Sequence, residues 1–93
     1  MDKRSLDFLF WHASSKLNNA QFGDAAPLFQ LISERRPDDL SAAIAFVYCK
    51  LRLGDASNLE DRLSAMRDLC KSDYERSVVN RLRLRADWLR SGQ

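Results

Sequence analysis

Cysteine, histidine, glycine and proline are all scarce in this 93-residue chain, and each scarcity removes a class of function. The two cysteines, Cys49 and Cys70, lack metal-ligand spacing and fall inside apolar stripes. They read as buried, reduced thiols rather than a disulfide, which points to the cytosol. The single histidine, His12, stands beside Trp11 with no Cys, Ser or carboxylate set at nucleophile spacing, so no enzyme activity is expected. Three isolated glycines make no phosphate-binding loop, and no cofactor is expected. Asp38 and Asp39 follow Pro37 at a helix start, where carboxylates complement the helix's N-terminal partial charge; no metal is expected there.

Long apolar runs are also missing. None approaches the length that spans a membrane, and "MDKRSLDFLFWHASSK" has an apolar core of only a few residues and no small-residue cleavage site, so neither a membrane nor a secretory route is expected. Fifteen basic and 13 acidic side chains leave a net charge of +2, too little to imply nucleic acid or an anionic surface as partner. β-Branched residues are sparse and nowhere alternate with polar ones over a strand length, so no strand is expected.

What is present is a folded composition, 45% hydrophobic and 30% charged, at a length that suits one domain over residues 1–93. Helix punctuation is dense. Pro37-Asp38-Asp39 ends one helix and caps the next, Gly54 suits a left-handed helix end, and Ser57-x-x-Glu60 and Ser72-x-x-Glu75 read as capping boxes. These signals predict an all-α fold of five helices near 4–18, 24–36, 39–53, 58–71 and 73–90. Asp24 as N-cap would put Pro27 in the first turn, where proline is tolerated; a start as early as Ala20 would predict a kink.

The helices share a register. Moving Ala25, Phe29 and Ile32 by 34 positions gives Leu59, Leu63 and Met66. The same shift takes Leu6, Phe10, Ala13 and Leu17 to Leu40, Ile44, Val47 and Leu51, then reaches Tyr74 and Val78 before failing at Arg81 and Arg85. Thirty-four residues is the period of the tetratricopeptide helix-turn-helix. "FGDAAPLFQLISERRP" resembles the second half of that repeat, with Phe22, Ala25, Phe29, Ile32 and Pro37 in order, and "KLRLGDASNLEDRLSAM" supplies its Gly54-Asp55 turn. The first helices depart from the pattern: Leu9 and Ala43 stand at the aromatic anchor, Lys16 and Lys50 at a second aromatic position, and Leu59 replaces a small residue. The resemblance implies tetratricopeptide-like hairpins, about two and a half repeats, in a right-handed superhelical stack.

Alternate helices differ in their faces. The second and fourth carry one apolar stripe each. The third is apolar nearly all round, with Leu40, Ile44, Val47 and Leu51 on one side, widened by Tyr48, and Ala42, Phe46, Cys49 and Leu53 on the other; only Ser41, Lys50 and Arg52 break the ring. The first sets Leu6, Phe10, Ala13 and Leu17 against Phe8 and Trp11. A helix apolar all round has to be covered all round. Each large apolar side chain left wet forgoes about 1.5–3 kcal/mol, in a domain whose whole stability is about 5–15 kcal/mol. Two structures meet that demand. In one, the third helix is the centre of a bundle and its own chain covers it. In the other, the odd helices line a concave groove that a partner fills.

The size, the repeat and the apolar odd helices are similar to those of the tetratricopeptide-like chaperones of the needle subunit in bacterial type III secretion. That resemblance implies a cytoplasmic hetero-oligomer: the groove holds an amphipathic helix of the needle subunit, a small helical co-chaperone packs alongside, and the needle protein is kept from polymerising. The candidate lining is Phe10, Leu17, Ile44, Val47, Tyr48, Leu51, Val78, Leu82 and Arg85. The alternative is a helical adaptor or nucleic-acid-binding module that uses the C-terminal arginine face of Arg76, Arg83 and Arg90, spaced every seven residues.

Overall fold

Five helices make up the structure, a computed structural model that describes residues 3–92: α1 (Lys3–Asn18), α2 (Phe22–Arg35), α3 (Leu40–Arg52), α4 (Glu60–Leu69) and α5 (Asp73–Arg90). The described residues include no strand. Two of the helix starts follow from side-chain caps. Asp39 caps α3 by accepting the Ala42 N–H at 3.1 Å. Ser72 caps α5 by accepting the Glu75 N–H, while the Glu75 carboxylate reaches back to the Lys71 N–H at 2.7 Å. That is the reciprocal arrangement expected of a capping box, displaced by one residue.

The ends of α1 and α3 are the same turn, 34 residues apart. At the end of α3, Gly54 adopts φ +77°, its N–H bonds the Leu51 carbonyl, and the Asp55 N–H bonds that of Lys50. At the end of α1, Ala20 adopts φ +59°, its N–H bonds the Leu17 carbonyl, and the Gln21 N–H bonds that of Lys16. Each pair of bonds is a Schellman closure. The internal repeat is thus a matter of backbone geometry as well as of apolar spacing. The glycine it favours is present in one copy and replaced by alanine in the other.

Two expected helix starts are corrected. Helix α2 begins at Phe22 with Gln21 as its cap, so Pro27 lies beyond the first turn. The carbonyl it leaves without a helical donor belongs to Gly23, and both residues are exposed, where an unbonded carbonyl costs little. Ser57 does not cap α4 either: its N–H and hydroxyl both donate to the Asp55 carboxylate, and α4 starts at Glu60 after Asn58 at φ +59°. Asp55 also takes Lys50 Nζ at 2.7 Å. The Lys50 and Ser57 hydrogen bonds hold its carboxyl well below the usual carboxylate range.

Packing runs α1 on α2, α2 on α3, then α3 against both α4 and α5, which also touch each other. Alanines Ala13, Ala25 and Ala42 are fully enclosed on these helices, which places small residues at the contacts. The second-helix stripes pack as the register requires: Ala25, Phe29 and Ile32, and 34 positions on Leu59, Leu63 and Met66, are all buried. On α1 the inward face is that of Leu6 and Ala13, with Phe10 edge-on to Phe29 at 5.7 Å; Phe8 and Trp11 face out. Helix α3 is central: Ala42, Phe46, Val47, Cys49 and Leu51 are all buried. Most of its apolar ring is therefore covered by its own chain. On α5 the buried residues are Val79, Leu82 and Ala86, each 35 positions after Ile44, Val47 and Leu51. The register slips by one residue there, which turns Arg81 and Arg85 out of the core.

Candidate functional site

Between α3 and α5 the covering is incomplete. A groove of about 460 Å³ remains, lined by Tyr48, Leu51 and Arg52 from α3 and Arg81, Leu82 and Arg85 from α5. Helical spacing builds it: Tyr48, Leu51 and Arg52 follow at three and four residues along one side of α3, as Arg81, Leu82 and Arg85 do on α5. Leu51 and Leu82 form the floor, 4% and 8% exposed. Tyr48 stands on the wall at 37% exposed, edge-on to Phe22 of α2 at 5.9 Å between ring centroids.

The lining is cationic as well as apolar. Arg52 donates to the Tyr48 hydroxyl at 3.1 Å and lies over the Phe22 ring, 4.8 Å from its centroid. Arg85 lies over Trp88 at 4.5 Å. No carboxylate lines the groove, and among the described residues none of Arg52, Arg81 and Arg85 forms a salt bridge.

The residues expected to line a groove divide three ways. Tyr48, Leu51, Leu82 and Arg85 do line it. Phe10, Leu17, Ile44 and Val78 are half-buried elsewhere on the odd helices, the first three packed against the core. Val47 is corrected to a core residue: at 0% exposed, enclosed by neighbouring helices, it has no surface for a partner. Arg52 and Arg81 were not among the expected residues, yet both positions were conspicuous in the sequence. Arg52 breaks the apolar ring of α3, and Arg81 is where the repeat register fails.

The arginine face considered for nucleic acid is neutralised by the chain itself. Arg83 and Arg90 both reach Glu60, at 3.2 and 2.7 Å; Arg90 also meets Asp87, and Arg76 meets Asp73 at 2.6 Å. Hydrogen bonding from Arg83 first, with Arg90 adding its charge, holds the Glu60 carboxyl below its ordinary range. Arg90 further donates to the Ala56 carbonyl and helps close a larger hollow of about 650 Å³ around residues 54–61. Two pairs of its polar side chains are bonded to each other, Ser57 to Asp55 and Arg90 to Glu60.

A second apolar surface lies on α1, where Phe8 and Trp11 are 67% and 68% exposed with ring centroids 6.2 Å apart. His12 beside them is exposed, and among the described residues no group of three or more metal-ligating side chains comes together. No helix among the described residues is long and apolar enough to cross a membrane. No protein-family model, curated protein or solved structure matches the chain.

Proposed function

We propose that this protein is a binding module whose α3–α5 groove takes the apolar face of an amphipathic helix from another protein. The observation that carries the reading is the groove itself: an aromatic wall and a leucine floor left open beside the central helix. The helices flanking it, 13 and 18 residues long, run for about 20 and 27 Å, which suits a partner helix of about four turns. Leu51 and Leu82 are already covered, so the gain on docking comes from the exposed part of Tyr48 and from the partner's own apolar side chains, about 1.5–3 kcal/mol for each large one fully buried.

In its specific form the reading is a cytoplasmic, tetratricopeptide-like chaperone of a type III secretion needle subunit. It would act as a hetero-oligomer with a small helical co-chaperone and keep the subunit from polymerising. The repeated Schellman turns 34 residues apart and the buried second-helix stripes support the repeat on which that resemblance rests. The exposed Phe8–Trp11 pair offers the co-chaperone a surface of its own. The nucleic-acid reading is weakened because each arginine of its proposed face already has an acidic partner.

Co-expression with the products of adjacent genes, followed by co-purification and light scattering, tests the specific form. The expected result is a discrete heteromeric complex containing a small helical subunit that polymerises when released. A needle subunit that polymerises unchanged in the presence of this protein would refute it.

A further inference from the structure

We infer that the occupant of the α3–α5 groove is acidic: an amphipathic helix whose apolar stripe is flanked by glutamates or aspartates. The inference rests on the groove reading above and adds its charge. In a chain of nearly balanced charge, this lining holds three arginines and no carboxylate. Elsewhere the protein pairs several guanidiniums with acids, as at Arg36–Asp7, Arg83–Glu60 and Arg90–Glu60, although others, such as Arg62 over the Phe46 ring, have no such partner among the described residues. In the groove none of the three has an acid, and two lie on rings: Arg52 over Phe22 and Arg85 over Trp88. A guanidinium lying on a ring face keeps N–H groups at its edge for a carboxylate, although Arg52 gives one of its own to the Tyr48 hydroxyl. Arg81 forms no ion pair among the described residues and stands four residues before Arg85 on the same side of α5. Carboxylates about one turn apart on a partner helix meet that spacing.

The floor decides between an acidic helix and a nucleic acid. Leu51 and Leu82, 4% and 8% exposed, leave only a thin aliphatic strip beneath the Tyr48 ring, which leucine or methionine side chains of a peptide meet and a sugar-phosphate backbone does not. Three guanidiniums around one short apolar groove also make a small phosphate footprint compared with the extended basic stripes of nucleic-acid proteins.

The test uses two synthetic peptides of about 15 residues with one leucine stripe, flanked by glutamates in one and by lysines in the other. Both are titrated into the full chain at about 50 mM salt by fluorescence anisotropy and again at about 500 mM, where exposed charges are screened. The glutamate peptide is expected to bind at least about tenfold more tightly at low salt, with the advantage shrinking to about threefold at high salt. In the double variant Arg81→Glu/Arg85→Glu, checked for unchanged helicity by circular dichroism, the preference is expected to reverse toward the lysine peptide. Equal binding of both peptides would overturn the acidic inference and leave the groove reading standing. Binding of neither peptide would overturn the groove reading itself. Displacement of the glutamate peptide by polyuridine at equal concentration would overturn the inference in favour of nucleic acid.

Discussion

Val47 and Tyr48 are neighbours in sequence, and their alanine variants separate stability from binding. Val47 is wholly enclosed, so Val47→Ala removes two methyl groups from the contact between helices and leaves a cavity. At about 0.8 kcal/mol per methyl plus the cavity, the cost is about 2–3 kcal/mol. In a domain of this size that lowers the melting temperature by about 8–20 °C. Tyr48 is more than a third exposed; Tyr48→Ala loses an edge-on contact with Phe22 and a hydrogen bond from the exposed Arg52. Its stability cost is about 1 kcal/mol. For partner binding the order inverts. Tyr48→Ala removes the aromatic wall of the groove and is expected to weaken binding of an apolar helix about tenfold or more. Val47→Ala is expected to leave affinity per folded molecule unchanged. Urea unfolding followed by circular dichroism and peptide titration by anisotropy, both below the melting temperature, give the two numbers for each variant. A Val47→Ala protein that stays as stable as the parent, or a Tyr48→Ala protein that binds as tightly, would refute the assignment of one side chain to the core and the other to the groove.

The two Schellman turns make a second pair. Ala20→Gly relieves a left-handed alanine and is expected to raise stability by about 0.5–1 kcal/mol, while Gly54→Ala, whose added methyl meets no neighbour within 4 Å, is expected to lower it by about 1 kcal/mol. Denaturation midpoints of both variants check this, and an Ala20→Gly protein less stable than the parent would contradict it. Burial pushes the Cys49 thiol up to about 11, so the folded state keeps its proton while the unfolded state loses it from about pH 8.5. The corresponding stability is complete below that pH and is lost as pH rises toward 11, by about 2–3 kcal/mol. Comparing the pH dependence with that of Cys49→Ala isolates it, and identical slopes would exclude it. By the same burial, a thiol reagent is expected to label Cys70 in the native protein and Cys49 only after unfolding. At Ala25, enclosed on α2, Ala25→Phe overpacks a helix contact and is expected to cost at least about 1–3 kcal/mol, read as a lower urea midpoint.

Much of the fold was legible because it rests on local chemistry. The absence of alternating β-branched runs, the Asp39 and Ser72 caps, Gly54, and the stripes of α2 and α4 each act within a few residues of themselves. Where the reading failed, two local options competed. Ser57 has both Glu60 ahead and Asp55 behind; the Asp55 carboxylate, already fixed by Lys50, takes it. Helix α2 extends past Asp24 because Gly23 and Pro27 lie on the solvent side, where an unbonded carbonyl costs little. The site was legible only in part, because a groove is what remains after tertiary packing. The apolar excess on α3 pointed to two coverings, and the structure uses its own chain for Val47, Phe46 and Cys49 while leaving Tyr48 on a wall. The apolar repeat fails at both Arg81 and Arg85; the one-residue slip in α5 turns both arginines out of the core and onto the groove.

The most direct measurement is an amide chemical-shift titration of the isotopically labelled full chain with the leucine-glutamate peptide. Shifts concentrated at residues 48–52 and 81–85, saturating with one peptide per protein, are the expected result. Shifts centred on Phe8 and Trp11 of α1, with the α3–α5 amides unmoved, would contradict the claim that the groove beside the central helix is the binding site.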